Sequence, residues 1–427
     1  MSGVLAELKW RGLVHAATPG LEEHLERQRP VTVYCGFDPT AASLQLGNLV
    51  PLLLLEHLQR GGHRPIVLMG GGTGLIGDPS GKPGERPLLS PEAASANVER
   101  QSAQMARFLD FTADRAKLAN NAKWLVPELL VDFLRNIGKH FTINIMLQKE
   151  SVKARLEAGL SFTEFSYMLL QAYDYLQLFD REHCTLQVGG SDQWGNITAG
   201  VDLVRRVRSA DVHGLVAPLI TTASGAKFGK SEAGAIYLDA ELTSPYKFYQ
   251  FWINTDDRDV EAYLKLFSLR PKDGPDGIAA LMGMHTRHPG HREAQGHLAN
   301  ELTERVHGKG AMESVVAATA ILFSDWDPHR AKAGAFDILA QEIPTATVAS
   351  SGVALVDALI ASGLVKSKSE ARRQIEQGGI YVNQQRVVLL SFSQEQVASG
   401  DADWLAGGNL LLRKGKKDYA LLRVGSA

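Results

Sequence analysis

The sequence predicts an α/β fold, a doubly wound parallel sheet, followed by an all-α domain. Two observations carry this expectation. In the first third, short β-branched and aromatic runs alternate with stretches of helical periodicity, the pattern of strand–helix–strand units wound on both faces of a parallel sheet. From about Tyr246 to Leu322 the periodicity is helical throughout. A sheet of this kind takes ligands at the carboxyl ends of its strands, so the residues just after each strand are candidates for chemistry.

The elements follow in order. Val31-Thr32-Val33-Tyr34-Cys35 is a strand, and Gly36 to Gly47 turns into a helix from about Asn48 to Arg60, with Pro51 in its first turn and Gly61-Gly62 ending it. Pro65 to Met69 supplies a second apolar strand. The segment Ser161 to Asp180 is helical, with Phe162, Phe165, Leu169, Tyr173 and Leu176 as an apolar stripe. Tyr167, Gln171 and Asp174 fall at i, i+4 and i+7, so a phenol, an amide and a carboxylate share one face. Apolar residues flank that row on both sides, which points to a pocket rather than a solvent face. Cys184 to Val188 is a later strand, followed by Gly189-Gly190 and a helix of roughly Asp192 to Arg206. Between Phe323 and Gly352 the chain turns small and irregular, with Pro328, Pro344 and the run Thr345 to Gly352, the composition of a linker.

At 427 residues the chain exceeds a single average core, which excludes a lone small binding module. Hydrophobic residues at 44%, charged residues at 22% and a formal charge of −2 describe an ordinary globular protein, not a disordered one. Two thiols, Cys35 and Cys184, cannot form a disulfide framework, and no CxxC pair offers a zinc site. A reducing cytoplasm is expected, with no protein-bound metal. Met1 to Trp10 lacks a basic head followed by an apolar run, and Leu49 to Leu55 is too short to span a bilayer, so neither secretion nor membrane insertion is indicated. From Ser350 onward the net charge is +3, a mildly basic tail on a body of net −5.

Gly72-Thr73-Gly74-Leu75-Ile76-Gly77 matches a dinucleotide fingerprint, but that fingerprint must open a helix, and Pro79, Pro83 and Pro87 prevent one. A P-loop fails too: Gly77 to Gly81 brackets three residues rather than four, and Pro83 stands where a magnesium-ligating hydroxyl belongs. What remains is a glycine-rich turn leading into a loop with Lys82 and Arg86, two cations suited to a phosphate lid. Lys227-Phe228-Gly229-Lys230-Ser231 is a second short basic loop, bounded by Gly225 and Gly234.

Five motifs occur in order: Tyr34 to Thr40, Gly77 to Lys82, Phe162 through Asp174, Gly189 to Asn196, and Lys227 to Ser231. Together they resemble the bacterial tyrosyl-tRNA synthetases, class I aminoacyl-tRNA synthetases, over the whole chain. Lys227 to Ser231 corresponds to that family's KMSKS loop, here KFGKS. The resemblance implies a Rossmann-like catalytic domain over 1–225, the KFGKS loop and helical domain over 226–325, a linker over 326–350 and a small α+β RNA-binding domain over 351–427. It also implies the reaction. The carboxylate of L-tyrosine attacks the α-phosphate of ATP, brought with Mg²⁺, pyrophosphate leaves, and the tyrosyl group moves to a ribose hydroxyl of tRNA(Tyr). No protein nucleophile is needed, so catalysis is positioning plus electrostatics.

Carried residue by residue, the resemblance assigns Tyr34 and Asp174 to the phenolic hydroxyl and Asp78, Tyr167 and Gln171 to the ammonium group. Gln193 joins the tyrosine contacts and reaches the α-phosphate region. A buried carboxylate and phenol left unpaired penalise phenylalanine. Gly36 and Gly47 admit the nucleotide to the backbone, with Cys35, Asp38, Gly190 and Asp192 as further ATP contacts. Thr40, Lys82, Arg86, Lys227 and Lys230 receive the departing phosphates, Lys230 also counting among the ATP contacts. One departure stands out: Gln45-Leu46-Gly47-Asn48 replaces the family's His-Ile-Gly-His. Asn48 and Gln45 each still offer an N–H to phosphate oxygens, so retained activity is expected.

Val353 to Asn383 resembles a small RNA-binding module of a small-subunit ribosomal protein and of pseudouridine synthases. Lys368, Arg372 and Arg373 share a helical flank, and Arg413-Lys414-Gly415-Lys416-Lys417 adds a basic turn, the expected RNA contacts. A homodimer is implied, with one tRNA spanning both subunits. Three rivals stay open at this level: a tryptophan-charging enzyme, in which Tyr34 and Asp174 meet no hydroxyl; a non-catalytic RNA-binding paralogue; and tyrosine activation for an acceptor other than tRNA.

Overall fold

The computed structural model describes residues 3–80, 89–149, 152–153, 159–225, 228–231, 234–348, 353–387 and 404–425. Strands β1 (Ala16–Ala17), β2 (Thr32–Phe37), β3 (Arg64–Met69), β4 (Lys117–Asn120), β5 (Cys184–Gly190) and β6 (His213–Ala217) form one sheet in the order β1-β6-β5-β2-β3-β4. All neighbours are parallel except β1 against β6. In β2 only Gly36 is exposed, as expected for a strand covered on both faces.

The winding direction reverses between β2 and β5. From β2 the chain steps to β3 and β4 on one side, and from β5 to β6 on the other. At such a switch point the crossovers diverge and leave a crevice beyond the carboxyl ends of the two strands, here at Phe37 and Gly190. The crossover from β2 to β3 is the helix Leu49–Arg60, whose Leu52, Leu53, Leu54, Leu55 and Leu58 are fully buried. It touches β2, β3 and β5 as well as the helices Val4–Arg11 and Val260–Phe267, which accounts for an apolar surface on all sides. The crossover from β5 to β6 is Trp194–Arg208. Phe162–Glu182 lies against it, capped at its start by the Ser161 hydroxyl, which accepts from Glu164 N at 3.2 Å.

Arg11 closes the end of the helix Val260–Phe267. Its guanidinium, 3% exposed, donates to Lys265 O at 3.0 Å, Ser268 O at 2.6 Å and Arg270 O at 2.7 Å, carbonyls that the helix itself leaves unpaired.

The helical stretch read from the sequence comprises Pro245–Ile253, Val260–Phe267, Ile278–Arg287, Glu293–His307 and Lys309–Phe323. The chain divides into two compact units, 1–243 with 251–298, and 244–250 with 299–427. The second unit holds a five-stranded sheet in the order Gln385–Arg386, Ile380–Val382, Asn409–Lys414, Asp418–Val424 and Thr345–Val348. Leu355, Ala358, Leu359 and Ala371 of two short helices share its core with Ile380, Leu410, Leu412, Ala420 and Leu422.

Two expectations are corrected. The range 326–350 is not a bare linker, because it contains the helix Ala333–Glu342 and the strand Thr345–Val348, which pairs in parallel with Asp418–Val424. Its prolines fall beside the helix and strand, at the short helical turn Pro328–Arg330 and just before the strand, where a missing N–H costs little. The apolar stripe of Phe162–Glu182 holds at Tyr173 and Leu176, but Phe162 at its first position is 78% exposed. Among the described residues no helix is long and apolar enough to cross a membrane.

Candidate active site

A cavity of about 620 Å³ opens in the crevice between the ends of β2 and β5. Tyr34 reaches it from β2, and Tyr167, Gln171 and Asp174 from successive turns of the helix Phe162–Glu182. Gly190, Asp192 and Gln193 border it where β5 passes into the helix Trp194–Arg208. Cys35, Gly36, Asp38, Thr40, Gly47, Asn48 and Asp78 complete the set of expected residues that line it.

Asp174 is 2% exposed, and both of its oxygens are held: Trp124 Nε1 donates to Oδ1 at 2.7 Å and Asn121 Nδ2 to Oδ2 at 2.9 Å. Burial pushes its carboxyl up to about 7. The two donors pull the other way, and Asp38 adds a smaller upward push. Tyr34 is fully buried in the same cavity, near enough to Asp174 for their charges to interact, and its hydroxyl has no hydrogen-bond partner. A buried hydroxyl left unpaired is costly, so this pair suits a group that can both donate and accept.

The polar row continues through a connected network. Tyr167 Oη donates to Asp38 Oδ2 at 2.9 Å, Thr73 Oγ1 donates to Asp38 Oδ1 at 2.7 Å, and Asn121 Nδ2 donates to Thr73 Oγ1 at 2.9 Å. Asp38 thus sets the tyrosine of the row. Asp78 is held by Ser80 N at 2.9 Å and by Gln193 Nε2 at 2.7 Å. Asn196 Nδ2 bridges Gln171 Oε1 at 3.1 Å and Gln193 Oε1 at 3.2 Å. Asp38 and Asp78 add two further carboxylates to the lining of the same cavity, which favours a ligand that carries a cation.

The glycines divide into two kinds. A Cβ on Gly70 would stand 2.1 Å from Asp38 Oδ1, and one on Gly71 2.4 Å from Asn120 Oδ1, so the turn after β3 is tight for reasons of packing. A Cβ on Gly36 or Gly47 meets nothing within 4 Å. Those two face open cavity, and their lack of a side chain serves whatever enters it. Cys35 is 3% exposed, and burial together with Asp192 holds its thiol far above the usual range, so it stays neutral.

Asn48 Oδ1 accepts from Gln45 N at 2.8 Å, which commits the amide oxygen to the helix start and leaves the NH₂ as its donor. Gln45 itself is exposed and does not line the cavity, and it joins Asn48 in a reciprocal capping box at the helix start. Lys230 is exposed and likewise outside the lining. Lys82, Arg86 and Lys227 lie outside the described residues. Asn121, Trp124, Thr73 and Asn196 were missed by the sequence reading. Only the position of Asn121 after a strand could have flagged it, and that strand, Lys117–Asn120, lacks a β-branched pattern.

In the second unit the basic residues differ in availability. Arg372, Arg373, Lys416 and Lys417 are exposed, and Lys368 pairs with Asp357 at 2.9 Å while remaining largely exposed. Arg413 is partly buried and pairs across strands with Tyr381 and Tyr419, its guanidinium 4.0 Å and 5.8 Å from their rings. Lys414 donates to Leu364 O and is similarly engaged.

The family described as tRNA synthetases class I (W and Y) matches residues 26–324, and the tyrosine–tRNA ligase SYY-like C-terminal domain matches residues 336–422. A tyrosine–tRNA ligase of Anaeromyxobacter dehalogenans is 52% identical over 428 residues, covering 99% of this chain and all of that one. One from Bacillus caldotenax is 49% identical over 98% of this chain and 99% of its own. Among solved structures, a C-terminally truncated mitochondrial tyrosyl-tRNA synthetase from Aspergillus nidulans superposes with a TM-score of 0.68 at 32% identity, covering 76% of this chain and 95% of that one.

The raised Asp174 carboxyl sets a pH dependence. Its ionised form is disfavoured by folding, so its contribution to the stability of the ligand-free chain is full below about pH 4 and is lost as pH rises towards 7. Ligand binding runs the opposite way, because the carboxylate accepts from a phenol more strongly than the neutral acid does. L-tyrosine affinity, measured by titration calorimetry, is expected to be greatest near pH 8 and to fall as pH drops below about 7. Asp174→Asn should bind weakly and without that inflexion. A wild-type affinity constant from pH 5 to 8 would contradict this assignment.

Proposed function

The chain belongs to the class I tRNA synthetases of the tryptophan and tyrosine group, and from that membership we propose that its cavity selects L-tyrosine through Tyr34 and Asp174 and presents its carboxylate to ATP. The reaction is activation of L-tyrosine by ATP and transfer of the tyrosyl group to tRNA(Tyr). The observation that carries the site assignment is the orphaned Tyr34 hydroxyl beside a buried carboxylate whose two oxygens are already oriented by Asn121 and Trp124.

A para-hydroxyl donates to Asp174 and accepts from Tyr34, satisfying the Tyr34 hydroxyl and adding a third donor to the carboxylate. An indole has no group that does both, which disfavours tryptophan. The substrate ammonium sits among Asp78, Tyr167 and Gln171, with Asp38 behind Tyr167. A tyrosine carboxylate oxygen then forms a bond to the α-phosphorus while the bond to the bridging oxygen breaks, and pyrophosphate carries away the electron pair. Gly36 and Gly47 admit the nucleotide, Gly190 and Asp192 border its ribose, and ATP comes as its Mg²⁺ complex. The Asn48 amide N–H, Thr40, Gln45, Lys82, Arg86, Lys227 and Lys230 receive the charge that grows on the leaving phosphates. In the second step a terminal ribose hydroxyl of tRNA(Tyr) attacks the tyrosyl carbonyl and AMP leaves. The exposed Arg372, Arg373, Lys416 and Lys417 contact RNA phosphates. The setting is the cytoplasm.

We further propose a homodimer. Val126, Leu129, Leu130, Val131 and Leu134 are 67%, 67%, 71%, 73% and 49% exposed, with Ile143, Ile145 and Phe162 also exposed. So many large apolar side chains within one stretch of chain are unusual on a monomer. The sequence reading already implied a second copy of the chain, and a two-fold interface repeats the same surface on both partners.

Tyrosine-dependent ATP–pyrophosphate exchange tests the central reading, since a non-catalytic RNA binder shows none and activation for another acceptor shows exchange without tRNA charging. In that assay Tyr34→Phe should lower kcat/KM for tyrosine roughly tenfold or less, the worth of one neutral hydrogen bond, while leaving that for phenylalanine unchanged. Equal losses for both amino acids would contradict the assignment. For the assembly, Val131→Asp should halve the mass seen by sedimentation velocity; an unchanged mass would place the interface elsewhere.

A further inference from the structure

Phe228, the second residue of the KFGKS loop, is 7% exposed and sits in a cage of four aromatic side chains. Its ring stacks on Phe267 at 5.2 Å and 17°, and meets Tyr263, Phe251 and Trp252 at centroid distances of 5.2, 5.7 and 5.9 Å. The cage walls also pack on one another: Trp252 lies 5.0 Å from Phe267 and 5.2 Å from Phe251. Two walls, Tyr263 and Phe267, stand on the helix Val260–Phe267, whose end is closed by the buried Arg11. For a short loop with lysines on either side of it, so large an apolar anchor is more than solubility or turn formation requires.

The next residue connects this anchor to the reaction site. Gly229 has φ +75°, and a Cβ there would stand 3.2 Å from Leu46 Cβ, so only glycine lets the turn lie against the Gln45-Leu46-Gly47-Asn48 segment. Backbone bonds complete the attachment. Ile236 N donates to Gly229 O at 3.0 Å, Leu46 N to Ile236 O at 3.0 Å, and Leu238 N to Leu44 O at 2.9 Å. Phe228 itself also borders the active-site cavity. The turn is therefore held between an aromatic cage on one side and the start of the helix Leu49–Arg60 on the other, with Lys230 emerging directly from it.

We infer that Phe228 is a positioning residue for adenylate formation: its seat in the Phe251–Trp252–Tyr263–Phe267 cage fixes the KFGKS turn against Leu46 and Gly47 and thereby sets where the Lys230 ammonium stands. Phe228 acts through Lys230 and not on the substrate. This rests on the reading of the reaction as tyrosine activation.

The test is a double-mutant cycle in tyrosine-dependent ATP–pyrophosphate exchange on the full chain. Phe228→Ala should lower kcat by about 100-fold, the scale of a misplaced catalytic group, with KM for tyrosine changed less than about twofold. In a Lys230→Ala background the same substitution should cost less than about threefold, because the group it positions is gone. Phe228→Leu, which refills much of the cage, should restore most of the rate. If Phe228→Ala is not recovered folded, Phe267→Leu loosens the stacked wall alone and carries the same expectation at about tenfold. Losses that multiply in the Lys230→Ala background, or a raised KM for tyrosine with kcat intact, would overturn the inference. Wild-type chain with no exchange activity would instead overturn the reaction on which it rests.

Discussion

The structure depends on keeping one carboxylate, Asp174, buried and ready to ionise in the middle of an α/β domain. Taking such a group out of water costs several kcal/mol unless donors replace the lost hydration. Here Asn121 and Trp124 supply one donor to each oxygen, which keeps the carboxyl near 7 rather than far above it. The remaining deficit is what a phenolic ligand can relieve. Assembling the site draws on a strand, a helix and the turn after another strand: Tyr34 on β2, Asp174 on the helix Phe162–Glu182, and Asn121 with Trp124 beyond β4. The reversal of winding between β2 and β5 opens the crevice, and the order β2-β3-β4 brings the turn after β4 round to meet it.

Around that carboxylate, the remaining polar groups are arranged so that few are free to move. Asp38 and Asp78 each accept two bonds, and the amides of Gln193 and Asn196 are oriented by the partners on either side. Such preorganisation matters because the reaction needs no protein nucleophile; its rate comes from holding two reactants in line and meeting charge with fixed dipoles. The glycines show the same division of labour. Those after β3 are small because Asp38 and Asn120 stand beside them, whereas a Cβ on Gly36 or Gly47 would meet nothing in the protein.

Much of this was legible in the sequence because its signals are local. Alternating strands and helices, the i, i+4, i+7 row of Tyr167, Gln171 and Asp174, and the glycine pairs ending strands can all be read within a window of a few turns. The supports of the row were not. Asn121 and Trp124 lie about fifty residues before Asp174 and meet it only because β4 pairs with β3, a tertiary fact for which Lys117–Asn120 carries no local pattern. Proline and small residues made 326–350 resemble a linker, although Thr345–Val348 gains its partner from Asp418–Val424, more than seventy residues later. The stacking of Arg413 on Tyr381 and Tyr419 was not legible either, because it requires knowing the strand register. Phe162 joined an apolar stripe by periodicity, yet it is 78% exposed, because periodicity alone does not say where along a helix the neighbouring elements stop covering it.

The most direct measurement is a crystal structure of the chain with a non-hydrolysable tyrosyl-adenylate analogue. The account predicts the substrate hydroxyl within hydrogen-bonding distance of both the Asp174 carboxylate and the Tyr34 hydroxyl, with Asn121 and Trp124 unmoved. An aromatic ring seated elsewhere, or one in the cavity with its hydroxyl facing away from Asp174 and Tyr34, would contradict it.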